Sequence, residues 1–370
     1  MPGLFIQKQA EAVSAYCDVA VLYVHADMNA SNTYEIDIAT ENGIQVVRVY
    51  YRESRTRVLS WFLRFFRFYY AHLLGFRALH SFQPDLIHVH VLTREGIIAW
   101  IHKIRARTPY VITEHWSRYL LASNSFHGIF RKMITRKIVK SAETMIAVSE
   151  NLKNAMERFR LMNQQFIVIP NPVETGLFTP GEKQPREVKR FVHISCFEDR
   201  PKNISGLLNA VKILSGSRVD FECYFIGDGP EFFLWKSRAE EMGLMGETVF
   251  FTGLKEKDEL VREIRNADFM VLSSNYETFG TVVIECLSCG IPVVATNVGV
   301  VPGLINESNG IIIPAGDNQA LTEAINLMLD KYELFDPLVI RNSVLHTFDS
   351  VTIANQLYNI YQKSSKHNVE

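Results

Sequence analysis

Short apolar runs alternate along this chain with longer stretches in which apolar positions recur every three or four residues. The runs at 19–24, 34–39, 44–51, 85–91, 110–113, 144–148 and 166–169 read as strands. So do those at 190–195, 221–226, 248–251, 268–272, 292–295 and 310–313. The helical period runs from the start of the chain to Ala15, over 56–80, 95–105 and 126–140, onward from Glu150, and over 350–362. Strand and helix alternating at this spacing predict α/β architecture, with parallel sheets covered by helices on both faces. The alternation is interrupted once. Pro170-Asn171-Pro172 opens a stretch through Pro180-Gly181 and Pro185 that reads as a linker. The expected division is therefore 1–170, 171–349, and a closing helix within 350–370. With 370 residues, each part is large enough to bury its own core.

One strand leads into the most informative loop. The run at 267–272 is followed by Ser273-Ser274-Asn275-Tyr276-Glu277-Thr278-Phe279-Gly280, and a helical stretch then continues to Ser288 and closes at Gly290. Glu277 thus falls at the carboxyl end of a strand, the edge where open α/β sheets bind ligands. Glu285 falls two turns into the helix. The unpaired amides of Gly280, Thr281 and Val282 suit a phosphate. Ionised carboxylates on either side suit sugar hydroxyls, which donate hydrogen bonds to them. The same residues are also compatible with a solvated loop carboxylate and a helix-surface one.

Glu277-x7-Glu285 in the setting Tyr276-Glu277-Thr278-Phe279-Gly280, followed by Cys289-Gly290-Ile291-Pro292-Val293-Val294-Ala295-Thr296, resembles the retaining GT-B glycosyltransferases of family 4 (glycosyl transferases group 1). The resemblance extends over nearly the whole chain. It implies two Rossmann-like domains facing across a cleft, the first binding the acceptor and the second a nucleotide sugar. Glu277 would contact the transferred sugar and Glu285 the ribose, while the backbone at Phe279, Gly280 and Thr281 would hold sugar and diphosphate. Lys202, in Ser195-Cys196-Phe197-Glu198-Asp199-Arg200-Pro201-Lys202-Asn203, would bind the diphosphate. Gly3 would lie beside it. Gly227 and Gly229, in Gly227-Asp228-Gly229-Pro230, and Gly253 and Leu254, in Phe251-Thr252-Gly253-Leu254, would border the base. His115, in Thr113-Glu114-His115-Trp116-Ser117, would stand beside the sugar's C6 hydroxyl, or else be a loop histidine stacked on Trp116. The catalytic set so implied is Glu277, His115 and Lys202.

The chain departs from the family pattern twice. Cys196 stands where an arginine is common, leaving Arg200 as a candidate second phosphate contact, and Val298-Gly299-Val300 lacks a second glycine. No Asp-x-Asp triplet occurs, which fits the metal-independent chemistry that the resemblance implies, and no cofactor is expected. The implied donor is a UDP- or GDP-sugar and the implied acceptor a saccharide or lipid-linked saccharide. Two rival readings are a GT-B sugar-nucleotide epimerase or hydrolase, and a non-catalytic sugar-nucleotide-binding subunit.

Composition adds a location and a charge division. Five cysteines, 47% apolar and 21% charged residues, and no apolar run of membrane-spanning length suit a globular cytoplasmic chain with reduced thiols. Cys286-x-x-Cys289, inside a helical stretch, reads as small packing residues or, failing that, a metal or redox pair. His88 and His90 share one strand face, as structural histidines or a metal pair. Residues 1–172 carry 21 Lys+Arg against 13 Asp+Glu, and residues 173–370 carry 18 against 27. The basic half holds two arginine- or lysine-rich stretches, Arg55, Arg57, Arg64, Arg67 and Arg77 among aromatics, and Arg131, Lys132, Arg136, Lys137 and Lys140. These fit either an ordinary core-facing helix or one resting on an anionic membrane, which would place the protein at the membrane's inner face. Nothing points to nucleic acid.

The family's first domain opens with a central strand that feeds the first glycine loop, and here Gly3 arrives almost at once. The first domain is therefore expected to lack that strand. Either roughly ten to twenty further residues precede Met1, or the form is poorly stable, or 34–39 fills the place.

Overall fold

The computed structural model describes residues 4–28, 32–52, 60–92, 94–123, 125–183 and 186–366. Gly3, Arg55 and Arg57 lie outside the described residues, as do the side chains of Trp61 and Phe62. The first domain runs α1 (Leu4–Val13), β1 (Ala20–Asp27), β2 (Tyr34–Glu41), β3 (Ile44–Arg52), α2 (Ser60–Ala78), β4 (Ile87–His90), α3 (Glu95–Ala106), β5 (Tyr110–Glu114), α4 (Ile129–Ser141), β6 (Thr144–Ala147), α5 (Glu150–Arg158) and β7 (Phe166–Val168). The second runs β8 (Lys189–Ile194), α6 (Asp199–Lys202), α7 (Ile204–Ser215), β9 (Phe221–Ile226), α8 (Phe232–Glu241), β10 (Val249–Gly253), α9 (Lys257–Arg265), β11 (Phe269–Leu272), α10 (Thr281–Ser288), β12 (Val293–Thr296), α11 (Val301–Leu304), β13 (Gly310–Ile313), α12 (Asn318–Lys331), α13 (Pro337–Asn342) and α14 (Leu345–Phe348). The closing helix is α15 (Ser350–Lys366).

In the second domain the strands pair in the order β10-β9-β8-β11-β12-β13, all parallel. This is the doubly wound order, and its reversal falls between β8 and β11, where such sheets open a ligand crevice. β11 and β12 are buried along their whole length, so both read as continuous apolar runs rather than alternating ones.

The first domain divides its strands between two sheets. β4-β5-β6-β7 are parallel, while β3 pairs with β1 in parallel and with β2 in antiparallel fashion. Among the described residues no ladder joins these two sheets. The 34–39 run does not bridge them, because β2 pairs with β3 at the outer edge of the small sheet. The sheets are instead linked by their helices. Phe76 of α2 stacks on His102 of α3 at 4.9 Å, and Ile98 of α3 is buried with Val47 and Phe68.

One apolar cluster runs from Leu152 and Val173 into Ile284 and Leu287, joining the two domains. α15 returns to the first domain. Its Ile353 and Leu357 are buried with Val13 of α1 and Ile146 of β6, and Tyr361 Oη lies 2.6 Å from His88 Nδ1.

Candidate functional site: the cleft between the domains

The site begins at the switch point. The loop after β8 enters α6, whose last residue is Lys202, and the loop after β11 carries Glu277. Backbone and side-chain bonds join the two loops. Ser273 Oγ donates to Lys202 O at 2.8 Å, Asn275 N to Pro201 O at 2.7 Å, and Asn275 Nδ2 to Arg200 O at 3.0 Å. Lys202 and Glu277 are thereby brought into an ion pair, and Ser274 Oγ donates to the same Glu277 oxygen at 2.8 Å. Burial works against the Lys202 ammonium, but the Glu277 carboxylate beside it reverses that effect and its pKa is raised. Lys202 is a charged cation at any ordinary pH.

α10 starts at Gly280, which has φ +95° and no side-chain cap, so its first amides remain open. Glu285, two turns in, is only 7% exposed. No described residue hydrogen-bonds its carboxylate. Burial pushes its pKa up to about 7, with Lys8 opposing and Glu174 reinforcing the shift. Those two residues form a salt bridge of 3.2 Å, which brings the start of α1 close to the second domain's carboxylate.

Most of the glycines assigned to the donor serve contacts between loops. A Cβ on Gly227 would stand 2.0 Å from Ser195 O, and one on Gly229 would stand 1.8 Å from Cys196 O. The turn after β9 therefore packs directly on the loop that leads to Lys202. Gly299 likewise abuts Glu277 and Phe279, with a Cβ reaching 2.9 Å from Glu277 Cβ. Gly253 has φ +74° and faces open space, with exposed Leu254 beside it. Thr281 is partly exposed at the helix start. The ring of Phe279 is 4% exposed and lies against Phe348, which leaves its backbone, not its side chain, at the loop's surface.

The first domain contributes a histidine cluster. His115 Nε2 lies 3.2 Å from His90 Nδ1, and His88 pairs with Tyr361 and with Thr113 Oγ1. The His115 ring packs at a tilt against Phe5 of α1, centroids 4.3 Å apart, whereas Trp116 carries the Arg118 guanidinium instead. Burial, then the neighbouring His90, holds His115 neutral, well below the usual imidazole range. Its Nδ1 makes no aligned hydrogen bond, although Asn171 lies beside it. All three histidines are packed against rings or hydrogen-bonded, and the described residues contain no group of three potential ligands arranged for a metal.

Two residues that the sequence reading passed over shape the cleft. Glu114 is fully buried and accepts the amides of Leu92, His115 and Trp116 at 3.1, 2.8 and 2.9 Å, which fixes the turn that presents His115. Ser149 caps α5 and donates its hydroxyl across the cleft to Thr278 O at 2.8 Å. Arg200 points away from the Lys202 pocket. Its Nη2 donates to Ala122 O and Ser123 O, at 3.3 and 3.5 Å, on the opposite domain. Cys286 and Cys289 are buried in the core beneath Glu285, where burial raises both thiols.

Comparison with known proteins agrees with this arrangement. Residues 11–177 match the family model "Glycosyltransferase Family 4" and residues 180–338 match "Glycosyl transferases group 1". The chain is 29% identical over 349 residues to the putative teichuronic acid biosynthesis glycosyltransferase TuaC of Bacillus subtilis, covering 91% of this chain and 84% of that protein. Among solved structures, sucrose-phosphate synthase from Thermosynechococcus elongatus superposes with a TM-score of 0.80 at 22% identity, covering 98% of this chain and 93% of that one. Anabaena HepE, solved in complex with UDP and glucose, superposes at 0.73 with 19% identity and covers 98% and 96%. The chain is a GT-B-fold glycosyltransferase, its first domain of the family 4 type and its second of the glycosyl transferases group 1 type.

Proposed function

We propose that the protein transfers a hexose-type sugar, with retention, from a UDP- or GDP-sugar to a saccharide or lipid-linked saccharide in polysaccharide or glycolipid assembly. The observation that carries this reading is the trio at the switch point: the Lys202–Glu277 pair, the open amides of α10, and the buried, unpaired Glu285. A diphosphate would draw the Lys202 ammonium toward itself and leave Glu277, still held by Ser274, for the sugar's hydroxyls. Glu285 would accept from the ribose hydroxyls, and His115 Nδ1 from a sugar hydroxyl across the cleft. The acceptor hydroxyl would attack the anomeric carbon from the face that the diphosphate leaves. The C1–O bond to phosphate breaks, the bond to the acceptor oxygen forms, and the proton passes to a departing phosphate oxygen. Lys202 and the α10 amides balance the growing negative charge, so positioning and electrostatics replace a base. The UDP and glucose bound to HepE, and the teichuronic acid biosynthesis in TuaC's description, support this donor and product class.

The same reading places the protein in the cytoplasm, resting on an anionic membrane. Among the described residues no helix is long and apolar enough to cross a membrane. The first five residues of α4, however, include exposed Ile129 (82%), Phe130 (65%) and Met133 (60%), and Lys137 and Lys140 are exposed further along it. Exposed apolar anchors beside lysines suit an interface between water and anionic lipid.

A thermal-shift screen over UDP-, GDP- and ADP-sugars, followed by product analysis, tests the proposal, because ligands that bind the folded state raise the melting temperature. An extended saccharide is the expected product. An isomerised or hydrolysed donor, or a donor bound and returned unchanged, would replace this reading with an epimerase, a hydrolase or a binding subunit.

A further inference from the structure

The cleft holds a cavity of about 190 Å³ on the side of Glu277 that faces α5, lined among others by Ala122, Asn151, Ala155, Arg158, Glu277 and Asn297. The space lies beside Glu277 and is large enough for several waters or a sugar ring. Asn151, Ala155 and Arg158 recur on one face of α5, at helical spacings of four and three. Ala155, with only a methyl group, recesses the floor between them. Asn151 offers both a donor and an acceptor to hydroxyls.

The charges of this cavity do not balance. Its one lining carboxylate, Glu277, is already neutralised by Lys202. Arg158 is exposed, and no described acid or carbonyl pairs with its guanidinium. At the cavity's edge a second guanidinium, that of Arg200, rests on the carbonyls of Ala122 and Ser123. A neutral saccharide would offer Arg158 only single, uncharged hydroxyl acceptors, whereas a carboxylate or phosphate would meet its planar fork in two charge-assisted hydrogen bonds. We propose that this cavity is an anion-recognising sugar site, in which Arg158 pairs with the carboxylate or phosphate of a charged saccharide lying against Glu277. A guanidinium kept only to offset the α5 dipole would need no ligand and would show no preference among sugars.

The proposal rests on the reading of the chain as a nucleotide-sugar transferase, and titration calorimetry on the full chain separates the two. UDP, GDP and ADP are titrated first. The nucleotide-loaded protein is then titrated with glucuronate and glucose 6-phosphate against glucose, and the free protein with UDP-glucuronate against UDP-glucose. The expected result is a preference of at least about tenfold for the charged sugar in one arm, the cost of losing one well-formed charged contact. Preference in the loaded protein assigns the anion to the acceptor, and preference for UDP-glucuronate assigns it to the donor sugar. Arg158→Gln should abolish the preference and leave nucleoside-diphosphate affinity unchanged, while Arg158→Lys should retain part of it. Nucleotide binding without any preference for charged sugars overturns the proposal, as does a preference that survives Arg158→Gln. Failure to bind all three nucleotides overturns the transferase reading and this inference with it.

Discussion

Glu285 carries a conflict between stability and binding. An unfolded chain ionises this residue near the ordinary carboxylate value of about 4.3, whereas the fold holds its proton up to about 7. Between those values the native state binds more protons than the unfolded one, so stability falls as pH rises through that window, by about 4 kcal/mol at full effect. Ribose hydroxyls favour the ionised carboxylate, so nucleotide affinity should climb as pH rises through about 7. Glu285→Gln removes the charge and with it both effects. That variant should melt higher than the parent at pH 8, with little difference at pH 4, and bind UDP on the order of 10²-fold more weakly. Melting curves at both pH values, with and without UDP, check this. Unchanged UDP affinity in the variant would remove Glu285 from the donor site. Lys202 and Glu277 were legible as candidates because each sits where a strand gives way to a loop and helix, and Glu285 by its spacing from Glu277 along the helix that follows, patterns carried by local sequence. Glu114 and Ser149 were not. Their work is to bind Leu92 N and Thr278 O, groups 22 and 129 residues away, and no local pattern announces such a partner.

At the scale of elements, apolar runs located the strands well, since a fully buried parallel strand has no polar face to confuse the pattern. The glycines were legible in place but less so in purpose. Gly227 and Gly229 were read as part of a turn bordering the base, and in the fold they admit the carbonyls of Ser195 and Cys196. The two basic stretches also separate only in three dimensions. In α4, Arg131, Lys132 and Lys137 lie over the rings of Phe126, Phe159 and Trp100, so part of the charge covers the domain's own aromatics. In α2, Arg67 donates to Arg52 O. The apolar anchors of α4 are therefore a cleaner handle on membrane contact than the arginines. Replacing Ile129, Phe130 and Met133 together with serine should reduce sedimentation with anionic vesicles at least about tenfold, because each buried apolar side chain contributes roughly 1.5–3 kcal/mol. Binding by the parent protein should weaken as salt rises. A parent protein that stays in the supernatant with anionic vesicles at low salt would end the membrane proposal, whatever the variant does.

For the molecule as a whole, the cleft is held by few polar contacts above a continuous apolar hinge. The cluster from Leu152 to Leu287 ties the domains at its base. At the cleft itself, Ser149 bonds Thr278, beside Glu277, and Arg200 spans to Ala122 and Ser123. The sequence suggested Arg200 as the phosphate contact missing at Cys196, whereas the fold turns it across the cleft. The two roles predict different losses. A phosphate ligand acts on nucleotide affinity, so Arg200→Ala would weaken UDP binding and transfer together. A cleft-spanning residue sets how the first domain meets a donor already bound by the second. In that case UDP affinity should stay within about twofold of the parent while turnover falls on the order of tenfold or more, because small misplacements of reacting groups cost that much. Ser149→Ala should share this signature, since its hydroxyl positions the Glu277 loop without facing the diphosphate, and it should also lose about 1 kcal/mol of stability as the α5 cap. Calorimetric UDP affinity and saturated turnover, measured for both variants, decide the matter. Equal losses of affinity and turnover in Arg200→Ala would return that residue to the diphosphate.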